Sequence, residues 1–262
     1  MKKAILIISL ISASYLAIGQ NEKKAKTVTI DGNNIYYEVY GEGEPVFLLH
    51  PWTLSSKYWI PYVSDFEQDY EVYLIDLPGH GRSDAFDKNW TIYNSALILN
   101  GLVEYLGLEQ IRAIGFSYGA DVIFQLTTIN PKLFKSIIAI GAVGTWDAKD
   151  FPDLVEYFSK SNLDNLPWIH AYQLDYEHVN GMLDYFINYK TILSDEQLKN
   201  IDSNVLLIQG DDDDSMPLEE VARFRRHLTN SDLWILPNTP HGAIESNKAE
   251  FIRISKEFIK DK

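Results

Sequence analysis

Short apolar runs alternate with longer amphipathic stretches along most of the chain. The first two runs alternate apolar and polar residues on either side of DGNN, which predicts an antiparallel hairpin. The later runs are continuously apolar, as expected of parallel strands that helices cover on both faces. The eight predicted strands are TVTI (27–30), IYYEVY (35–40), VFLLH (46–50), VYLIDL (72–77), IRAIGF (111–116), SIIAIGAV (136–143), NVLLIQG (204–210) and DLWILP (232–237).

Apolar residues at helical spacing predict helices near 91–106, 118–130, 218–228 and 248–260. Strand followed by helix, repeated along the chain, predicts an α/β fold with a doubly wound, mostly parallel eight-stranded sheet. Functional groups in such folds gather at the carboxyl ends of the strands. The loops that follow the strands are therefore the expected place for a site.

Residues 145–200 interrupt the alternation of strand and helix, because they contain no predicted strand and carry many aromatic residues among short helical patterns. The segment lies between the sixth and seventh predicted strands, which predicts a helical lid over the strand ends. The alternative is a set of ordinary core helices. The lid interpretation divides the chain into an α/β core, residues 20–144 and 201–262, and an inserted lid, residues 145–200.

The N-terminus, MKKAILIISLISASYLAIGQ, places two lysines before an apolar run that ends in small residues. This order predicts a signal peptide, residues 1–19, with cleavage near Gly19 and export to the periplasm or out of the cell. The alternative is a single membrane anchor, because the run approaches the roughly 17 residues that span a bilayer. With cleavage, no stable membrane anchor is expected.

Composition and net charge limit which kinds of site and which partners the protein can have. A chain of 262 residues that is 46% hydrophobic can bury a full core. It has no cysteine, which excludes disulfides, thiol catalysis and thiolate metal sites. The formal net charge of −14 repels nucleic acid and anionic membrane surfaces, so neither is expected as a partner.

Residues 115–119 read GFSYG directly after an apolar run. Gly115 and Gly119 would allow Ser117 to stand on a tight strand-to-helix turn, where a nucleophile is presented. A glycine-containing loop with an incidental serine is the alternative. A serine nucleophile needs a base and a group that orients the base. Aspartates follow the seventh predicted strand in GDDDDSMP, and a histidine follows the eighth in PHG.

These pieces, together with VFLLHPW after the third predicted strand and DLPGHGRSD after the fourth, resemble the α/β-hydrolase superfamily. The resemblance covers about residues 27–262 apart from the inserted segment. It implies that Ser117 is the nucleophile, His241 the general base and Asp213 the orienting acid. Asp213 is favoured over its neighbours because the family pattern places the acid three residues after glycine and four before proline.

The resemblance also implies two main-chain N–H donors for an oxyanion. One is Tyr118, which follows the nucleophile. Relatives place the other in a histidine-glycine loop, where this chain reads His50-Pro51-Trp52. Proline has no N–H, so Trp52 is the expected donor. The predicted substrate pocket contains Trp52, Trp146, Trp168 and Tyr172.

The resemblance implies acyl transfer without a metal or an organic cofactor. Relatives that open epoxides or displace halide use aspartate as the nucleophile, so a serine argues against them. We expect a carboxylesterase that acts on a small, uncharged or apolar ester. A carbon–carbon bond hydrolase, a perhydrolase-like enzyme, an aminopeptidase-type enzyme with acidic lid residues and a non-catalytic, receptor-like protein remain as alternatives.

Overall fold

The computed structural model of the protein describes residues 24–142 and 144–261. Strands in this part of the chain are β1 (Lys24–Ile30), β2 (Asn33–Tyr40), β3 (Glu44–Leu49), β4 (Tyr70–Ile75), β5 (Ile111–Phe116), β6 (Phe134–Ile140), β7 (Thr145–Asp147), β8 (Lys190–Ile192), β9 (Asn204–Gly210) and β10 (Ser231–Leu236). Eight of them form one sheet in the order β1-β2-β4-β3-β5-β6-β9-β10. The predicted signal peptide, residues 1–19, lies outside the described residues.

The sheet is mostly parallel, as predicted. Strands β1 and β2 form the antiparallel hairpin, which turns at Asp31 and Gly32, both with positive φ. Strand β2 also pairs antiparallel with β4, and every other neighbouring pair is parallel. The predicted fold class, an eight-stranded α/β-hydrolase sheet flanked by helices, is therefore confirmed.

All four predicted helices are present, and further helices occur that the sequence pattern did not indicate. The helix α1 joins β3 to β4 and is only seven residues long, which is too short for a clear apolar period. The α-helices of the described residues are α1 (Ile60–Phe66), α2 (Ile92–Tyr105), α3 (Tyr118–Ile129), α4 (Pro152–Tyr157), α5 (Ile169–Tyr172), α6 (Tyr176–Tyr185), α7 (Asp195–Lys199), α8 (Leu218–His227) and α9 (Lys248–Asp261).

The segment between β6 and β9, which we call the inserted segment (residues 145–200), contains α4 to α7 and the strands β7 and β8. These two strands pair antiparallel as a separate small sheet, with Trp146 opposite Thr191. The expectation that the segment contains no strand was wrong. Each strand has three residues, which is too few to produce a recognisable alternation.

Both faces of the central strands β3, β5, β6 and β9 are buried, which explains their continuously apolar runs. In β3, Phe47 and Leu49 belong to one apolar cluster, whereas Val46 and Leu48 belong to the other. The first cluster includes residues of α2, α3 and the inserted segment, and the second includes residues of α1 and α9. Within residues 24–142 and 144–261, no helix is both long and apolar enough to cross a membrane.

Candidate active site

Ser117 occupies a tight turn between β5 and α3. Its φ of 49° and ψ of −116° lie where a residue with a side chain is rarely found, and such strained positions cluster at functional sites. Its main-chain N–H donates to the carbonyl of Ile140 on the neighbouring strand at 2.7 Å. The turn is therefore held by the sheet, with the serine at the carboxyl end of a central strand.

Gly115 and Gly119 are both in places that have no room for a side chain. A Cβ atom at Gly115 would lie 2.6 Å from the main-chain nitrogen of Ala120. A Cβ atom at Gly119 would lie 2.4 Å from the carbonyl oxygen of Leu49 on β3. Contact distances this short with backbone atoms explain sterically why the residues that flank Ser117 at these positions are glycines.

His241 lies in the loop after β10, close to Asp213 in the loop after β9. The His241 Nδ1 atom and the Asp213 Oδ2 atom are 2.7 Å apart. Because a carboxylate accepts, Nδ1 carries the proton and Nε2 is left as the basic nitrogen. Ser117 and His241 line the same cavity, although no hydrogen bond joins the two among the described residues. Such bonds are often formed only when substrate is bound.

Asp213 is the only buried member of the run of four aspartates, and its side chain is 1% exposed. Its Oδ1 accepts from the main-chain N–H groups of Ser215 and Met216 and from the Ser215 hydroxyl. Its Oδ2 accepts from Gln209 Nε2 at 2.8 Å. Burial raises the pKa of Asp213, but the hydrogen bonds and the charge of His241 outweigh it and hold that pKa below its usual value.

The loop after β3 lies beside the turn that holds Ser117. His50 is fully buried, and burial lowers its pKa to about 4, so its ring is neutral at physiological pH. Its Nε2 accepts from the N–H of Leu77, which ties the loop to the chain after β4. The Trp52 ring packs edge-on against Tyr118 at 5.2 Å. Tyr118 begins α3, where main-chain N–H groups have no partner within the helix.

A cavity of about 330 Å³ opens above Ser117. Among the described residues that line it, none is acidic and none is lysine or arginine. The lining residues are Pro51, Trp52, Ser117, Trp146, Leu154, Tyr157, Phe158, Trp168, Phe186, Tyr189, Ser215, Met216 and His241.

The predicted pocket residues are only partly found in this lining. Trp52, Trp146 and Trp168 line the cavity, whereas Tyr172 does not. The half-buried ring of Tyr172, the last residue of the single turn α5, packs instead against the apolar cluster that contains Tyr58. The prediction that Tyr172 lines the substrate pocket was therefore wrong.

Several residues at the site were not predicted from the sequence. Gln209 and Ser215 hold Asp213, and Gly141 makes room for His241. Gln209 could have been found from the sequence, because it is a single polar residue between the apolar run VLLI and Gly210. Gln173 and Tyr189, which come from the inserted segment, left no comparable signal in the sequence.

A second buried carboxylate, Asp121, lies one turn into α3 after Ser117. The Tyr189 hydroxyl donates to its Oδ2 at 2.7 Å. Burial raises its pKa to about 7, against smaller opposing effects of Tyr189, the Gly144 N–H and His241. Among the described residues, no three histidine or acidic side chains form a group that could hold a metal ion.

Comparisons with known proteins agree with this fold. An uncharacterized hydrolase, YugF, of Bacillus subtilis (strain 168) is 26% identical, with 88% of this chain and 96% of the relative covered. A pimeloyl-[acyl-carrier protein] methyl ester esterase of Salmonella agona is 24% identical over 84% of this chain and 95% of its own. The solved structure of a meta-cleavage product hydrolase from Pseudomonas fluorescens IP01 has a TM-score of 0.75 at 20% identity, covering 90% of this chain and 97% of that one.

The family profile described as alpha/beta hydrolase fold matches residues 44–179, which span the turn at Ser117 and the strands β3 to β6. Since that match covers about half of the chain and the strand order fits it, the protein belongs to the α/β-hydrolase family.

Proposed function

We propose that the protein is a serine esterase that hydrolyses uncharged carboxylic esters through an acyl-enzyme intermediate. The observation that carries the proposal is the placement of Ser117 on a strained turn beneath a cavity that it shares with His241, while His241 is bonded to the buried Asp213. A hydroxyl, a neutral imidazole and an ionised carboxylate in this order are the components of nucleophilic acyl transfer.

In the first half of the proposed reaction, Ser117 Oγ attacks the ester carbonyl carbon and its proton passes to His241 Nε2. Asp213 accepts from Nδ1 and stabilises the imidazolium. The negative charge on the former carbonyl oxygen would be met by the main-chain N–H groups of Tyr118 and Trp52. Collapse of the tetrahedral intermediate breaks the bond to the alcohol oxygen, which takes the proton from His241.

In the second half, a water molecule attacks the acyl-enzyme and gives its proton to His241. The second tetrahedral intermediate collapses, the carboxylic acid leaves, and Ser117 recovers its proton. The protein returns to its starting state, and the net reaction adds one water to one ester.

The cavity supports an uncharged substrate. Aromatic rings from the loop after β3 and from the inserted segment surround it, and none of the lining residues that the structure describes carries a fixed charge. Burying a charged substrate group there without a partner would be costly. We propose that the inserted segment acts as a lid over this cavity, and that the chain works outside the cytoplasm after loss of residues 1–19. The name of the methyl ester esterase relative is consistent with ester hydrolysis.

A carbon–carbon bond hydrolase is the second candidate, because a structural neighbour carries the name meta-cleavage product hydrolase. The same serine, histidine and aspartate could serve it. An aminopeptidase-type reaction has less support, since the acidic residues of the inserted segment, such as Asp153 and Glu156, do not line the cavity above Ser117. A panel of esters, meta-cleavage products and aminoacyl amides separates these reactions.

The decisive experiment is turnover of p-nitrophenyl acetate and butyrate by the purified protein, with Ser117→Ala and His241→Ala measured beside it. We expect each variant to lose roughly 10⁴-fold or more in kcat, since these residues act as a unit. Release of p-nitrophenol by the wild type at the rate of Ser117→Ala would refute the esterase proposal and favour a binding protein. Equal activity of His241→Ala and wild type would remove His241 from the mechanism.

A further inference from the structure

The loop after β3 contains a strained residue next to one of the two proposed oxyanion donors. Thr53 has a φ of 64°, in the left-handed region that a β-branched residue rarely adopts. It directly follows Trp52, so a fixed Thr53 backbone anchors the carbonyl end of Trp52, whose own N–H lies one peptide earlier, in the Pro51–Trp52 peptide. A strained residue of this kind persists only where its surroundings hold it in place.

Gln173 of the inserted segment holds this loop through its side-chain amide. Its Nε2 donates to the carbonyl oxygens of Thr53 at 2.8 Å and Leu54 at 3.0 Å. Its Oε1 accepts from the main-chain N–H of Gly81, in the turn after β4, at 2.7 Å. Gln173 is only 8% exposed, so its amide joins two core loops within the protein interior.

A second contact from the inserted segment reaches the same residue. Trp168 Nε1 lies 3.3 Å from the hydroxyl oxygen of Thr53 and donates to it. The main-chain N–H of Leu174 also donates to the carbonyl of Gly81 at 3.1 Å. Thr53 is thus bonded through its carbonyl by Gln173 and through its side chain by Trp168, and both partners are more than 110 residues away along the chain.

We infer that Gln173 is a positioning residue that fixes the main-chain N–H of Trp52 through Thr53, so that the inserted segment is part of the oxyanion site as well as a wall of the cavity. The inference rests on the proposed function, since it requires the Trp52 N–H to be an oxyanion donor. Loss of the amide would remove the partner of the buried Thr53 carbonyl, of the part-buried Leu54 carbonyl and of the buried Gly81 N–H, and the loop would relax from the strained conformation.

The first test compares Gln173→Met with the wild type on p-nitrophenyl butyrate. Methionine keeps the length of the side chain but cannot donate to Thr53 or accept from Gly81. We expect kcat to fall roughly 10- to 100-fold with KM within about twofold, because an oxyanion donor acts only in the transition state. Leu174→Ala is the matched control, since Leu174 is exposed and makes its bond through the main chain. It should keep wild-type kcat.

The second test measures phenylboronic acid binding by calorimetry and does not depend on turnover. The boron atom forms a bond to Ser117 Oγ, whose proton passes to His241, and the tetrahedral boronate places an oxygen between the proposed donors. We expect Gln173→Met to bind the boronate about tenfold or more weakly, in parallel with kcat. Neutral p-nitrotoluene, which cannot form the adduct, should bind both proteins equally.

Trp168→Phe gives a second route if Gln173→Met does not fold. It keeps the aromatic wall and removes only the donor to Thr53, so a smaller loss of kcat and of boronate affinity is expected. Wild-type values of both in either folded variant would overturn the role of the contact, as would a change in KM alone. A wild type that neither hydrolyses ester nor binds boronate would instead overturn the proposed function.

Discussion

Gly141 packs against the ring of His241 so closely that a Cβ atom at position 141 would lie 2.9 Å from His241 Cε1. Gly141 follows β6 with a φ of 57°, and its N–H donates to the carbonyl of Ile208 on β9 at 3.0 Å. The sheet therefore holds this glycine in place. The position of the imidazole depends on a missing side chain at the end of a neighbouring strand.

Gly141→Ala should displace the imidazole and lower kcat on p-nitrophenyl butyrate by roughly 10- to 100-fold, because a shift of about 1 Å in a catalytic group can cost that much. The measurement is steady-state kinetics with a melting curve. Gly107→Ala is the matched control: its φ of 67° imposes similar backbone strain, but nothing lies within 4 Å of the added Cβ. If the two variants lose activity equally, the effect comes from backbone strain alone.

Asp213→Asn should lower kcat by about 10⁴-fold, because an amide cannot stabilise the imidazolium and favours the wrong tautomer. The neighbours Asp212 and Asp214 are exposed, and Asp212→Asn and Asp214→Asn should stay within about twofold of wild type. Kinetics of the three variants under one condition decide the matter. A larger loss from either neighbour than from Asp213→Asn would move the acid to another residue.

Gln209→Met should shift the titration profile of the Asp213 carboxyl, followed by NMR of labelled aspartate, to higher pH. The Gln209 donor helps to hold the pKa of Asp213 below its usual value. Without it, that pKa rises, so the carboxylate takes up a proton at a higher pH. Ser215→Ala removes a second donor and should act in the same direction, while Ser215→Thr keeps the hydroxyl and should restore the profile.

A variant with lower activity but an unchanged Asp213 titration would mean that Gln209 only supports the structure of the loop. A melting curve at pH 7 separates that outcome from partial unfolding.

Asp121→Asn should stabilise the protein relative to the wild type by an amount that grows as the pH rises from about 4 to about 7. Folding raises the pKa of Asp121 from its ordinary value of 3.8 to about 7 through burial. Between these values the folded state keeps a proton that the unfolded state has lost, so wild-type stability falls as the pH rises. Above pH 7 the cost is complete, at a few kcal/mol, since one pKa unit equals about 1.4 kcal/mol.

The measurement is the difference in melting temperature between Asp121→Asn and wild type from pH 4 to pH 8. Groups elsewhere titrate in both proteins and cancel in the difference. Asparagine keeps an acceptor for the Tyr189 hydroxyl, so the aromatic wall of the cavity should remain. A difference that is constant with pH would contradict the buried ionisation of Asp121.

Local rules explain why much of the fold was predictable. The hairpin of β1 and β2, the apolar central strands and the longer helices each follow from a period or a turn signal within a few residues. The strands β7 and β8 and the helix α1 were not predicted, because three to seven residues cannot establish a period. The prediction that Tyr172 lines the pocket failed for a related reason. The helix that carries it has a single turn, so no apolar period indicates on which side the ring lies.

The sequence by itself determined the α/β sheet, the turn at Ser117 and the order of serine, acid and histidine after successive strands. These are local properties, and a parallel sheet brings the carboxyl ends of its strands together at one edge regardless of the conformation of the loops. Only the tertiary structure decided that Gly141 makes room for His241, that Gln209 holds Asp213, and that Gln173 bonds Thr53 across 120 positions of the chain. Contacts between distant loops depend on how the loops pack, and no periodicity along the chain records that.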